Sequence, residues 1–315
     1  MTPTRIDVHH HLFPPPFVAE LTAHEHYLAQ GVARRWTPQL SLDDMDAAGI
    51  ATAFTSITAP GLTWVAPERL LGITRQCNEF GARMVLDHPD RFGLFASLPL
   101  PNVDDALREI EHALDALKAD GIGLLTSYAG KWLGDPAFDP VMDELDRRAA
   151  VVYVHPTAAE CCRNLLPGIA DWVIEFPVDT TRAIARLLFT GTLARCPHIR
   201  FVFAHVGGIL PLIVEHLVRA AQVDTRLAVH APRGVREQLG MLHYDTALRM
   251  HPVGMESALQ LVGPAQLLLG TDAPLRRSTD QLAELHGLGL PADVLHRIES
   301  GNARQLFDRY RGLIP

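Results

Sequence analysis

The sequence predicts an α/β protein, a (β/α)8 TIM barrel with loop insertions at its C-terminal face. Eight short apolar runs alternate with longer segments of helical periodicity, and several of those runs end on a histidine or aspartate. The chain length also fits: 315 residues exceed the roughly 250 of a typical barrel of this kind. Residues 1–315 read as one domain, because no fixed-period repeat, low-complexity tract or composition shift marks a boundary.

Runs rich in Val, Ile, Leu and Phe place strands at 5–8, 52–55, 92–96, 121–125, 151–154, 200–204, 241–244 and 266–269. Between them, helical spacing is clearest over 67–86, 102–118, 140–149, 180–193, 209–222 and 252–262. Strand and helix in alternation is the pattern of a parallel sheet. Asn102, followed by Asp104 and Asp105, is expected to cap one helix, and Asp179 to cap another that begins at Thr180. The helix over 67–86 should stop at His88-Pro89, because Pro89 cannot continue it and turns His88 away from helical angles. Two irregular stretches, 158–178 and 224–238, read as insertions that cap an active site or pair subunits.

Hydrophobic residues make up 48% and charged residues 20%, which suits a packed globular protein and argues against disorder. The longest apolar runs fall far short of the roughly 20 residues that span a bilayer, so no membrane partner is expected. A net charge of −8 and a pI near 6.0 supply no basic stripe for nucleic acid. The partner these properties favour is a small molecule. No basic segment followed by an apolar stretch opens the chain, so a cytoplasmic location is expected. Cys77, Cys161, Cys162 and Cys196 have neither zinc nor redox spacing and read as free, buried thiols.

The sharpest motif is Arg5-Ile6-Asp7-Val8-His9-His10-His11. Residues two apart on a strand face one side, so His9 and His11 should point together into the barrel mouth and His10 away. Two converging imidazoles make half of a site for zinc or a similar divalent ion; chance surface histidines would give the same triplet. Three more apolar strands run into residues of the same kind: Val151 to His155-Pro156, Phe201 to His205-Val206-Gly207-Gly208, and Leu267 to Gly270-Thr271-Asp272. A lone histidine there is more often a hydrogen-bonded core residue, but strand C-terminal ends are where active-site groups of such barrels collect. Four ends in agreement favour a site.

These stretches resemble the amidohydrolase superfamily, in the decarboxylase branch that includes aminocarboxymuconate semialdehyde decarboxylase, from Asp7 to about Phe307. Within that branch 121–128, 175–182 and 244–247 are most similar to 6-methylsalicylate decarboxylases. The resemblance implies that His9, His11, His155 and Asp272 are ligands of one divalent ion, zinc before manganese, iron or cobalt. It makes His205 a non-ligand histidine beside the metal's water, and it implies a homodimer. Binuclear relatives place a carboxylated lysine at the end of strand four; here that strand ends Leu124-Leu125-Thr126, and Lys131 lies further along the loop. One metal is therefore expected. Many relatives follow the strand-eight Asp with an aromatic residue and Pro, whereas Asp272-Ala273-Pro274-Leu275 is followed here by Arg276-Arg277, expected either to widen or to fill the pocket wall.

The implied reaction is non-oxidative loss of CO2 from a salicylate-type acid, with Asp272 or His205 delivering the proton to the ring carbon. Phe13, Trp64, Thr126 and Tyr128 fall on expected C-terminal loops, where they either line an aromatic pocket or simply pack. Arg182 and Lys131 either meet a carboxylate or stay as surface charges. A lactone or amide hydrolase would use the same ligands with His205 as base, since fold and ligand set do not fix chemistry.

Overall fold

A computed structural model of the chain describes residues 4–23, 30–248 and 251–310. Met1–Pro3, the first part of the N-terminal stretch, lie outside the described residues. Eight parallel strands follow one another in chain order around a single sheet. They are β1 (Arg5–His11), β2 (Ile50–Ser56), β3 (Phe92–Ser97), β4 (Gly121–Leu125), β5 (Val151–His155), β6 (Arg200–Phe203), β7 (His243–Asp245) and β8 (Leu267–Leu268). The last strand returns to the first: the Val8 N–H donates to the Leu269 carbonyl at 2.9 Å, and that of His11 to Ala273 at 2.7 Å. The sheet thus closes as the barrel expected.

Inside the ring, Ile6, Val8, Phe54, Phe95, Tyr153 and Val202 form one apolar cluster. Phe307, from the chain's end, stacks on Phe54 with ring centroids 3.8 Å apart. Burying one such ring stabilises the fold by about 1.5–3 kcal/mol. A second, larger cluster fills the layer between strands and helices. Together they make the strand ends a rigid platform.

Local chemistry sets the helix boundaries. Thr37 accepts the Leu40 N–H, Pro38 opens the helix Pro38–Ala48, and Gly49 at φ 65° stops it. A left-handed residue there turns the chain straight into β2. Pro67–Asp87 ends at His88 as expected. Asn102 caps Val103–Glu111 by accepting the Asp105 N–H at 3.1 Å.

Several expectations are corrected. The helix expected at Thr180 begins at Glu175 and runs to Phe189. Pro177 does not delay it, because it sits in the first turn, where an N–H has no partner within the helix anyway. Asp179 therefore lies inside the helix and is no cap. The stretch 224–238 is not wholly irregular, since it contains Thr225–Ala228 and the start of Val235–Gly240. That second helix pushes the seventh strand two residues later than expected, leaving Met241 45% exposed. All four cysteines are free, but Cys161 is exposed rather than buried. No helix among the described residues is long and apolar enough to cross a membrane.

Candidate metal centre

The end of β1 brings His9 and His11 together with their Nε2 atoms 3.1 Å apart. Asp272 Oδ1 lies 3.2 Å from the first and 3.0 Å from the second. His155, at the end of β5, completes the group, with ring centroids 5.2 Å from His9 and 4.9 Å from His11. One potential ligand atom from each of the four residues lies within 4.8 Å of all the others, and all four residues are buried. His10 points the other way as expected, between Asp7 Oδ2 at 3.2 Å and Ser41 Oγ at 2.9 Å.

Each ligand-type imidazole has its tautomer fixed by an oxygen on the far side. His9 Nδ1 meets Asp245 Oδ2 at 2.9 Å, His11 Nδ1 the Ser56 carbonyl at 3.2 Å, and His155 Nδ1 the Pro156 carbonyl at 2.8 Å. Carboxylates and carbonyls only accept, so each Nδ1 donates and each Nε2 is left for the centre, where it can offer a lone pair once it carries no proton. Three oriented imidazoles and one carboxylate are a donor set that a divalent cation fits.

Backbone conformation helps to aim the remaining groups. Asp272 has φ 63°, and His205 and Val206 have φ 56° and 54°. Residues other than glycine rarely adopt these left-handed angles, and a β-branched valine still less, so the surroundings must hold them. The His205 N–H donates to Asp245 Oδ1 at 3.1 Å. Behind the turn, a Cβ on Gly208 would run into the Pro177 carbonyl. The result sets the His205 ring 5.1 Å from His9 and 5.8 Å from His155 by centroids.

The electrostatics are those of a buried cluster with two acids. Burial opposes a charge on His9, but Asp245 and Asp272 outweigh it and hold its pKa up to about 10. Burial depresses His11 and drives His155 well below the usual histidine range, the neighbouring imidazoles adding to it. Burial would raise Asp272, yet His9 and His11 hold it well below the ordinary carboxylate range.

Asp245, which motif spacing did not single out as a site residue, accepts four hydrogen bonds here. Besides His9 and His205 it accepts the Tyr153 hydroxyl at 3.1 Å and the Ala247 N–H at 2.9 Å. Its signal in the sequence was its place at the end of an apolar strand, the same signal that marked Asp272. Asp7 is a second such acid, accepting the N–H groups of His9 and Thr271 and, at 2.6 Å, the Thr271 hydroxyl.

The expected substrate contacts separate. Tyr128 lines a cavity with Ser56, Ser97, Leu125 and His155, and its hydroxyl accepts the Leu125 N–H at 2.7 Å. Thr126 is buried; its hydroxyl donates to Asp179 and accepts the Thr157 N–H. Phe13 stacks on Phe17 and meets Trp36 edge-on, while Trp64 is half-buried against the larger core cluster. Lys131 is exposed on the short hairpin Ser127–Tyr128 and Lys131–Trp132. Arg182 lies near Glu175 and Asp179. Arg276 and Arg277 bond to Gln281, Glu284 and Asp280 on the following helix.

Comparison with known proteins points to one family. The sequence profile described as Amidohydrolase matches residues 6–309. The chain is 33% identical over 329 residues to the decarboxylase macB of Penicillium terrestre, covering 98% of this chain and 96% of that protein. It is 30% identical over 321 residues to the 6-methylsalicylic acid decarboxylase of Penicillium expansum, covering 98% of each. The crystal structure of dihydroxybenzoic acid decarboxylase from Polaromonas sp. JS666, with bound manganese and 2-nitroresorcinol, shares the fold with a TM-score of 0.84 at 20% identity, over 96% of each chain. With its barrel, its histidine and aspartate cluster and these relatives, the chain belongs to the amidohydrolase family, among that family's decarboxylases.

Proposed function

We propose that this carboxy-lyase removes CO2 from a salicylate-type acid, 6-methylsalicylate before others, at one divalent ion held by His9, His11, His155 and Asp272. The observation that carries the ion's place is the convergence of four buried donor atoms, with each imidazole turned by an oxygen behind it. The substrate is supported by the Penicillium expansum relative, which matches over nearly the whole of both chains. A divalent ion held by these four residues would supply a positive centre for the acid's oxygens and lower the cost of charge on the ring. Zinc suits three imidazoles and a carboxylate, and metal analysis decides between it and the manganese of the Polaromonas enzyme.

The chain's own groups do the rest. When the bond to the carboxylate breaks, its electron pair stays on the ring carbon, which then takes a proton. Asp272 and His205 are the two groups positioned to carry that proton. The first is buried within the cluster; the second is held over it by Asp245. Tyr128, Leu125 and Ser97 offer a mostly apolar wall for the ring. Four free thiols support a cytoplasmic location. A homodimer belongs to this reading; sedimentation checks it.

The deciding experiment assays metal-reconstituted enzyme against hydroxybenzoates, lactones and amides. CO2 release from 6-methylsalicylate is the expected result. Efficient hydrolysis of a lactone or amide, with no CO2 from any hydroxybenzoate, would put the hydrolase reading in its place.

A further inference from the structure

The segment after His155 carries two side chains that decarboxylation does not use. Cys161 and Cys162 are neighbours in the short turn Glu160–Cys162, and their sulfurs lie 3.3 Å apart. Cys161 is exposed and Cys162 buried. Arg182 donates from Nη1 to Cys162 Sγ at 3.3 Å, and the same nitrogen lies 3.6 Å from Glu175 and 3.9 Å from Asp179. Asp179 in turn accepts from the Thr126 hydroxyl and, at 2.6 Å, from the Trp132 indole. The turn also touches the hairpin that bears Tyr128: a Cβ on Gly130 would lie 3.6 Å from Glu160 Oε2. One sulfur is open to solvent, and the other is linked through Arg182 and Asp179 to the pocket wall.

We infer that Cys161 and Cys162 are a modification site, a dithiol that a hydroperoxide closes to a vicinal disulfide and that thereby releases Arg182 from Cys162. The exposed Cys161 sulfur attacks one peroxide oxygen, the O–O bond breaks, and water leaves behind a sulfenic acid. Cys162 then attacks that sulfur, gives up its proton and expels a second water. Two thiols have lost two electrons and two protons, and hydrogen peroxide has become two waters. Burial and the adjacent Cys161 hold the Cys162 thiol above the usual range, against the pull of Arg182, which leaves Cys161 to act first. Closure asks the sulfurs to move only from 3.3 Å to about 2.05 Å. Adjacent Cα atoms stand about 3.8 Å apart, nearer than ordinary disulfides prefer, so the bond is labile and a dithiol reopens it.

The test treats holoenzyme with hydrogen peroxide, labels the remaining thiols and maps them by mass spectrometry. Two of the four thiols should disappear, with the peptide carrying both residues about 2 Da lighter and unlabelled, and dithiothreitol should restore both. Cys161→Ser should keep its remaining thiols under the same treatment. In the wild type, KM for the acid decarboxylated should rise several-fold on oxidation with kcat little changed. The mass readout needs no substrate, so failure of the decarboxylation reading would leave it standing. Oxidation of Cys161 to a sulfinic acid with Cys162 still labelled, a disulfide between two chains, or a 161–162 disulfide that leaves KM unchanged would each overturn the inference.

Discussion

His155 and His205 lie in one cluster, yet their surroundings give them different work. His155 presents Nε2 because Nδ1 is bound to the Pro156 carbonyl; His205 stands beside the four-donor group rather than in it. Removing one ligand from a site with no spare donor should release the ion, so His155→Ala should lose metal and activity together after dialysis. His205→Asn should keep its metal and lose about 10²–10⁴-fold in turnover, the usual worth of a positioned acid or base. Full metal in inactive His155→Ala, or unchanged turnover in His205→Asn, would reverse those roles. Asp245→Asn should weaken metal affinity about 10–100-fold, because a second-layer acid orients and strengthens its histidine. In enzyme stripped by chelation, His9 is protonated up to about pH 10, and an ion must displace that proton. Affinity should therefore rise about tenfold per pH unit between 7 and 9, with His11 and His155 already neutral and adding nothing. A flat profile in chelator competition would contradict it. The four clustered donors were legible because each stands at or just past the end of an apolar strand; Asp245 was not, because its partners His9 and Tyr153 are 236 and 92 residues away and a strand-end carboxylate looks alike in either role.

At the level of elements, the eight strands were legible because each falls on or beside a short apolar run between helical segments. Helix starts were harder. The expected start rested on Asp179 as a cap, yet Pro177 in a first turn costs no hydrogen bond and the helix begins at Glu175. Moving the start back to Glu175 turns Asp179 from an expected cap into a buried acceptor that ties the helix to the chain after β4 through Thr126 and the hairpin residue Trp132. Asp179→Ala leaves both donors unpaired, at about 1–3 kcal/mol each if neither finds water. Thermal unfolding should shift down by several degrees, and Asp179→Asn, which keeps one acceptor oxygen, should lose less. An unchanged melting temperature in the alanine variant would show that the hairpin does not depend on this acid.

For the whole molecule, the central question is how a chain with a net charge of −8 takes in an anion. Charge far from the site is screened within about 8–10 Å at physiological salt, so attraction must come from the ion itself. The barrel makes this possible: its apolar interior and closed β8–β1 seam hold the ligands at one end in low dielectric, where a local positive charge is felt most strongly. A carboxylate alone would use only part of that charge, whereas a carboxylate with an ortho oxygen can engage the centre twice and fix the ring. The matching benzoate without its ortho-hydroxyl should therefore bind and react far more weakly than 6-methylsalicylate. Turnover in deuterated water should place one deuterium on the carbon that lost CO2, because the proton comes from an exchangeable side chain. If the benzoate reacts as well as the salicylate, or if the product carries no deuterium, two-point engagement or side-chain protonation respectively is wrong, and each result leaves the four-ligand cluster untouched.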